Sequence, residues 1–181
     1  MDLKTERVAG LTLIELMVAM AVLAVTVTLA VPSFQDVLAR TRATTAYHQL
    51  TASLMLARMA AISLRQPVVM CPSADGLQCR SDLIWEDGWI VFPDPGHKGQ
   101  PDGVDALLRR VDRLGGPLQV RSSRGRPQVR YRPDGRAPGS NLSLHVCQGE
   151  QLLLAKVVVN NVGRARTELA TPGDRCDPTD A

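Results

Sequence analysis

An almost uninterrupted apolar run near the start of the chain constrains its fold more than any other feature. Residues 11–31 contain one charged side chain, that of Glu15. As an α-helix this run would be about 32 Å long, which matches the hydrocarbon core of a bilayer. Lys4 and Arg7 precede the run, and basic residues on that side favour a cytoplasmic N-terminus. We therefore predict a single membrane-spanning helix over residues 11–31.

Glu15 is the residue that an ordinary membrane anchor does not explain. A charged side chain at the centre of a membrane helix costs about 2.5–3.5 kcal/mol on insertion scales, so it indicates a functional site with a partner. A secretory signal peptide cut at the small residues around 30–32 is an alternative, although the run is long for such a peptide. Neither a cleaved signal nor a plain anchor gives Glu15 a role.

The segment G-L-T-L-I-E-L, which begins at Gly10, resembles the type IV prepilin signal, with Leu11 where phenylalanine is usual. The resemblance implies that a prepilin peptidase cuts after Gly10 and methylates the new N-terminal amine on Leu11. It also implies that Glu15 pairs with the N-terminal amine of a neighbouring subunit, which would offset the burial of its charge. Pro32 matches the proline of the family, and its ring and missing N–H are expected to kink or locally melt the helix.

An apolar stripe at helical spacing continues beyond Pro32. We expect one helix over about residues 12–65, ended by Pro67, with the stripe packed on the chain's own sheet rather than on a partner. The stripe consists of Tyr47, Leu50, Leu54, Ala57, Ala61 and Leu64.

Short Val- and Leu-rich runs separated by Gly and Pro turn signals fill the chain from residue 67 onward, and they are typical of strands. Because no helical segments separate them, we predict an α+β fold with one or two antiparallel sheets on the helix. The polar tail from Pro172 is expected to be loose except at Cys176. The predicted strands are 68–71, 89–92, 107–111, 118–121, 129–132, 142–147, 152–160 and 164–170.

This C-terminal part is similar to the GspH/FimT group of minor pilins and pseudopilins. The similarity implies a pilin-like fold with a leader peptide (1–10), a transmembrane and filament-core helix (11–31), an amphipathic continuation (32–66) and a β-rich domain (67–181). The segments that carry it are C-P-S-A-D-G-L-Q-C (71–79), W-E-D-G-W-I-V-F (85–92), V-R-Y-R-P-D-G (129–135), L-H-V-C (144–147) and V-V-V-N-N-V-G-R-A-R (157–166).

The same resemblance implies a cellular role. The precursor would sit in the bacterial inner membrane with a cytoplasmic N-terminus and a periplasmic C-terminal domain. It would then assemble with other pilin or pseudopilin subunits into a type IV pilus or the pseudopilus of type II secretion. The sequence leaves these two filament systems as alternatives.

The chain has four cysteines, Cys71, Cys79, Cys147 and Cys176. An even number beyond an export-type segment indicates disulfides in an oxidising compartment, and spacing alone permits three pairings. The family resemblance implies Cys71–Cys79 and Cys147–Cys176, with buried free thiols as the alternative.

We expect no catalytic, metal or cofactor site. His48, His97 and His145 are scattered, and no nucleophile, zinc or phosphate-cradling motif is present. The acidic loop 94–105 does not have the ligand spacing of an EF-hand. An envelope enzyme with a coincidental anchor is a remote alternative to a structural subunit.

Arginines provide the candidate surface for nucleic acid, since nine of the 18 lie between Arg109 and Arg136. If these segments are strands, Arg130 and Arg132 should point to one face, and so should Arg164 and Arg166. A basic surface of this kind would bind DNA phosphates electrostatically. In the FimT branch a G-R-x-R segment is associated with DNA uptake in natural transformation, and Gly163, Arg164 and Arg166 match it. The alternative is a solvated basic face, and the few aromatic residues argue against a dedicated single-strand binder. The candidate residues are Arg124, Arg126, Arg130, Arg132, Arg164 and Arg166.

Overall fold

The structure is a computed structural model that describes residues 12–139, 142–149, 151–171 and 173–177. Gly10 and Leu11, which flank the predicted cleavage site, lie outside the described residues. Within these ranges, helix α1 spans Leu13–Leu64 and is followed by eight strands and one short 3₁₀ helix, Val104–Ala106. The chain divides into two compact units, one up to Leu38 and one from Ala39 onward, which are described in turn.

The first unit is the apolar part of α1. Leu13–Val31 is long and apolar enough to cross a membrane, with a mean hydropathy of 2.4 and no burial within the chain. Large apolar side chains are exposed along its length, Leu13 and Leu29 among them. The helix is unbroken through Pro32, so the local melting expected there is absent from the structure.

In the second unit, the remainder of α1 packs on the β domain. Leu50, Leu54, Ala57 and Ala61 are fully buried, as the apolar stripe predicts. The prediction is wrong for Leu64, which is 45% exposed because it lies in the last turn, beyond the sheets. The helix ends there, and the next residue has a left-handed backbone (φ 53°), a common way for a helix to terminate.

Two antiparallel four-stranded sheets follow the helix. Their strands are those predicted, and this confirms the α+β fold of one long helix on an antiparallel β domain. The first sheet has the order β3-β2-β1-β5 and the second the order β4-β6-β7-β8. The strands are β1 (Val68–Pro72), β2 (Gly88–Pro93), β3 (Arg109–Asp112), β4 (Leu118–Ser122), β5 (Val129–Tyr131), β6 (Leu142–Gln148), β7 (Leu152–Val159) and β8 (Ala165–Leu169).

All eight strands differ from their predicted bounds by one or two residues, and three of these differences have a clear structural cause. β3 begins two residues later because a 3₁₀ turn precedes it. β5 stops at Tyr131 because the chain turns over the next residues, where the Gly135 N–H donates to the carbonyl of Arg132 at 2.8 Å. β8 begins at Ala165, after a turn in which the Gly163 N–H donates to the carbonyl of Asn160 at 2.8 Å.

The main core lies between α1 and the inward faces of both sheets, with Leu54, Val91 and Val157 among its members. A smaller core covers the other face of the first sheet and contains Val69 and Phe92. Because β1 is covered on both faces, all five of its residues are buried, and it is one continuous apolar run rather than an alternating pattern.

The structure contains the disulfides Cys71–Cys79 and Cys147–Cys176, the pairing that the family resemblance implies. The first joins the end of β1 to the loop that packs against the smaller core. The second ties the tail to β6. The Cys176 N–H also donates to the carbonyl of Gln151 at 3.0 Å, and residues 173–177 run beside the start of β7. The expectation of a loose tail is therefore wrong over these residues.

Candidate functional site

Glu15 caps the start of its own helix. Its Oε2 accepts hydrogen bonds from the Thr12 N–H at 2.9 Å and from the Thr12 hydroxyl at 3.0 Å. In return the Glu15 N–H donates to the Thr12 hydroxyl oxygen at 3.3 Å. This reciprocal pattern is a capping box, in which a Thr at the N-cap and a Glu three residues later satisfy donors that the helix leaves open. Glu15 thus has a local structural role in addition to any role in assembly.

Sequence reasoning missed this cap although the signal was present. Thr12 and Glu15 have the T-x-x-E spacing of a capping box and precede an apolar run. Neither the unusual place of Glu15 in a membrane segment nor its match to the prepilin signal points to this local role.

Residues 13–31 form a long exposed hydrophobic surface. Met17, Val18, Val22 and Val25 are each more than half exposed and point in different directions around the helix. A helix that is apolar all round must be covered by lipid or by other helices. This part of α1 is therefore suited to a membrane and to the interior of a helical assembly.

Arg130 forms an ion pair with Asp94 inside the β domain. Its guanidinium donates to Asp94 Oδ2 at 2.5 Å, and Asp94 is only 2% exposed. The same carboxylate accepts the N–H groups of Lys98 at 2.7 Å and Gly99 at 3.0 Å. Burial raises the pKa of Asp94, but the hydrogen bonds from Gly99, Arg130 and Lys98 prevail and hold that pKa below its usual value. Arg130 is therefore less available to a phosphate than the exposed arginines of the candidate set.

The two arginines of the G-R-A-R segment have different surroundings. Arg166 lies in β8 and pairs with Glu168 at 2.7 Å, both side chains being exposed. Arg164 lies in the turn before β8 and makes no ion pair among the described residues. The two therefore do not project from one strand as expected, since only Arg166 belongs to it.

Gly163 brings two turns together. It is buried with a φ of +80°, and a Cβ at this position would lie 2.1 Å from the carbonyl oxygen of Gly135. The turn after β5 and the turn before β8 are thus in contact, so Arg132, Arg136 and Arg164 lie at the same end of the domain. We call these three exposed side chains the basic cluster. The glycine of the G-R-A-R segment is required for packing as well as for any contact with a ligand.

Arg124 and Arg126 occupy a separate turn, between β4 and β5. Both are exposed, and neither makes an ion pair with any of the residues described. A Cβ on Gly139 would lie 3.3 Å from Arg126 Nη1, so this side chain lies along the loop that leads to β6. The structure thus separates the six predicted arginines. Arg132 and Arg164 belong to the basic cluster, Arg124 and Arg126 to a second exposed turn, Arg130 to a buried ion pair and Arg166 to an exposed one.

The three histidines remain apart. His48 is exposed on α1 beside the ring of Tyr47, His97 lies 3.5 Å from Arg130 in the loop after β2, and His145 is buried in β6. Within the described ranges, no group of three His, Cys, Asp or Glu side chains could hold a metal ion.

Comparison with solved structures identifies the fold. Two crystal structures of the type IV minor pilin FimU from Pseudomonas aeruginosa (strain PAO1) have the same fold, with TM-scores of 0.58 and 0.54. They cover 77% and 75% of this chain and 96% and 98% of their own chains, at 18% identity. A long N-terminal helix followed by two antiparallel sheets is thus a pilin fold.

The family follows from the sequence itself. The chain belongs to the family described as type II transport protein GspH, whose model matches residues 46–163. Residues 7–31 match the model of the prokaryotic N-terminal methylation motif, the segment that contains Gly10, Leu11 and Glu15. No curated protein sequence matches the chain. The chain is therefore a minor pilin or pseudopilin that carries the signal for prepilin processing.

Proposed function

We propose that this protein is a structural subunit of a type IV filament machine, built into a type IV pilus or a type II secretion pseudopilus through its N-terminal helix. The observation that carries this proposal is the exposed apolar surface of residues 13–31 within a matched methylation motif. Such a surface serves first in the membrane and then among neighbouring helices, and the β domain is left to contact partners.

Processing and location follow from the same proposal. A prepilin peptidase cuts after Gly10 and methylates Leu11, and the precursor crosses the inner membrane once with its β domain in the periplasm. The two disulfides support this location, because disulfides persist in oxidising compartments. Intact mass of the mature protein should correspond to a start at Leu11 plus one methyl group, whereas a start after residue 30 would indicate an ordinary signal peptide.

Replacing Glu15 with glutamine should remove the protein from filaments while keeping its helix capped. Glutamine can serve in a capping box, but it has no charge to pair with the amine of a neighbouring subunit. Leaving one partner of a buried ion pair unpaired costs about 3–5 kcal/mol, so incorporation should fall by a factor of about 100 or more. The measurement is the amount of subunit in sheared filaments relative to total subunit, in a strain that lacks the wild-type protein.

Thr12→Ala is the matched control for this substitution. It removes the cap and keeps the charge, so it should lower helix stability by about 1 kcal/mol and reduce incorporation only slightly. Processing of both variants is checked by mass. Normal incorporation of the glutamine variant would contradict the assembly role of the charge.

Electrostatic binding of DNA, as in the FimT branch, is a second candidate function. The observation that favours it is the basic cluster, in which contact between two turns gathers Arg132, Arg136 and Arg164 without an ion pair among the described side chains. Asp134 in the first of these turns is exposed and opposes the field of the cluster. Since such binding contacts phosphates, it would depend little on sequence and strongly on salt.

Arg132→Gln with Arg164→Gln should weaken binding to duplex DNA and flatten its salt dependence. Each lost phosphate contact lowers the slope of log K against log salt by about 0.9, so the double variant should lose about two units. Anisotropy of labelled duplex, titrated with the full-length protein in non-ionic detergent across a salt series, measures this slope. Arg109→Gln with Arg113→Gln on the β3 side removes the same charge and should change the slope much less. Equal effects of the two double variants would exclude the cluster as the binding site.

A further inference from the structure

A cavity of about 270 Å³ opens within the second unit, between α1, the end of β5 and the turn before β8. Leu54 and Met55 form its helix side, and Gly163 and Ala165 form its sheet side. Three polar side chains complete the lining, those of Arg58, Tyr131 and Arg164. They come from three different elements, so the fold itself brings them together.

Tyr131, one of the lining residues, has a hydroxyl group with an unused hydrogen bond. The residue is fully buried, and its Oη has no hydrogen-bond partner among the described residues. Buried hydroxyls are nearly always paired in proteins, and an unpaired one costs about 1–3 kcal/mol. Burial raises the pKa of the phenol, with a smaller opposing effect of the Arg58 charge, so Tyr131 stays protonated and remains a donor at any physiological pH.

The two guanidinium groups are not neutralised by acidic neighbours. Arg58 uses its Nε to donate to the carbonyl oxygen of Gly135 at 3.0 Å, which fixes the stem of the side chain and leaves its two terminal nitrogens available. Neither Arg58 nor Arg164 makes an ion pair within the described chain, and no carboxylate lines the cavity. The cavity therefore has two positive charges and a neutral hydroxyl donor, and no acidic side chain lines it.

We propose that this cavity is a binding site for one phosphate group, held by Arg58 and Arg164 with the Tyr131 hydroxyl as a third donor. Donors that converge from three elements suit a tetrahedral anion, whose oxygens point in several directions, better than a planar carboxylate. Arginine forks are well matched to phosphate oxygens. The Tyr131 hydroxyl is below the surface, so its contact with an anion requires a lining side chain to move.

The two tyrosines of the chain, Tyr47 and Tyr131, make a direct test possible. The full-length protein in non-ionic detergent is labelled with ¹³C at the tyrosine Cζ, and Tyr131→Phe assigns the two signals. Titration with inorganic phosphate, against sodium chloride at equal ionic strength, should give a saturable shift of the Tyr131 signal and leave that of Tyr47 in place. Arg58→Gln with Arg164→Gln should weaken the apparent affinity at least tenfold.

Arg132→Gln with Arg136→Gln is the matched control, because it removes the same charge outside the cavity and should change the affinity less than twofold. Since Arg58→Gln also removes the hydrogen bond to Gly135, Tyr131→Phe provides an independent variant. It should unfold at the same temperature as the wild type or higher, and it should lose the extra stabilisation that phosphate gives over chloride. The absence of a saturable Tyr131 shift, or the same affinity in the Arg58 and Arg164 variant, would overturn the proposal.

A parallel titration with duplex DNA identifies the source of the phosphate group. A shift of the Tyr131 signal with DNA assigns the site to the nucleic acid backbone, whereas a shift with inorganic phosphate alone assigns it to the free ion. DNA binding itself is read separately by anisotropy. The experiments can therefore contradict the phosphate site while they support DNA binding by the basic cluster. They can equally support the phosphate site and contradict DNA binding.

Discussion

Asp94→Asn should lower the free energy of unfolding by about 3 kcal/mol, the largest effect that we expect of any single polar substitution in the β domain. The variant removes the charge that neutralises Arg130 and weakens the acceptor for two backbone N–H groups. Removal of one partner from a buried ion pair typically costs about 3–5 kcal/mol, and the lower figure applies because the Arg130 side chain is 25% exposed. Urea unfolding followed by the fluorescence of Trp85 and Trp89, both fully buried, measures the change.

Asp112→Asn is the matched control for this substitution. Asp112 also pairs with an arginine, Arg110 at 2.9 Å, but its side chain is 79% exposed. Exposed pairs contribute about 0–1 kcal/mol, so this variant should unfold almost as the wild type does. Equal losses in the two variants would contradict the structural role of Asp94.

The Asp94 ion pair also predicts how stability depends on pH. Because the pKa of Asp94 is lowered in the folded state, its contribution is fully present above the pKa of an unfolded aspartate, about 3.9. It is lost as the pH falls through the folded-state pKa. Between pH 5 and pH 3 the wild type should therefore lose more stability than Asp94→Asn does.

Gly163→Ala should lower the free energy of unfolding by more than 2 kcal/mol although it adds only one methyl group. Its Cβ would lie 2.1 Å from the backbone oxygen of Gly135, and backbone cannot move aside as a flexible side chain can. The residue also has a φ of +80°, where a side chain adds about 1 kcal/mol or more of strain. The same urea experiment measures the loss.

Gly125→Ala separates these two contributions. Gly125 has a φ of +72°, but a Cβ there meets nothing within 4 Å. The loss of unfolding free energy in Gly125→Ala should therefore reflect backbone strain alone, about 1 kcal/mol. The difference between the two alanine variants then measures the contact between the turns, and equal losses would show that this contact contributes nothing.

The expected loss also affects the interpretation of DNA-binding assays. Because substitution of Gly163 disturbs the fold, weaker DNA binding by such a variant would not show that Gly163 contacts DNA.

Much of the fold was predictable because its signals are local. The continuous apolar run that became β1, the turn residues between strands and the helical spacing of Leu50, Leu54 and Ala57 all lie within short windows of sequence. Leu64 has the same spacing, but periodicity does not show where the sheets that cover the helix end.

The candidate site was less predictable because its contacts are distant in sequence. Asp94 and Arg130 are 36 residues apart, and nothing near Arg130 indicates that it neutralises a buried carboxylate. The cavity of Arg58, Tyr131 and Arg164 likewise depends on three elements meeting in space. By contrast, the cap formed by Thr12 and Glu15 was within reach of the sequence, since the motif spans four residues.

The cap uses only one of the two oxygens of the Glu15 carboxylate. Both Thr12 donors bind to the same oxygen of Glu15, Oε2, and no donor among the described residues binds to Oε1. An ionised carboxylate can accept up to about four hydrogen bonds. Oε1 is thus available to an incoming amine while Oε2 continues to hold the first turn of the helix. In the proposed assembly, an amine of a neighbouring subunit would bind to Oε1 and leave the cap of the first helical turn in place.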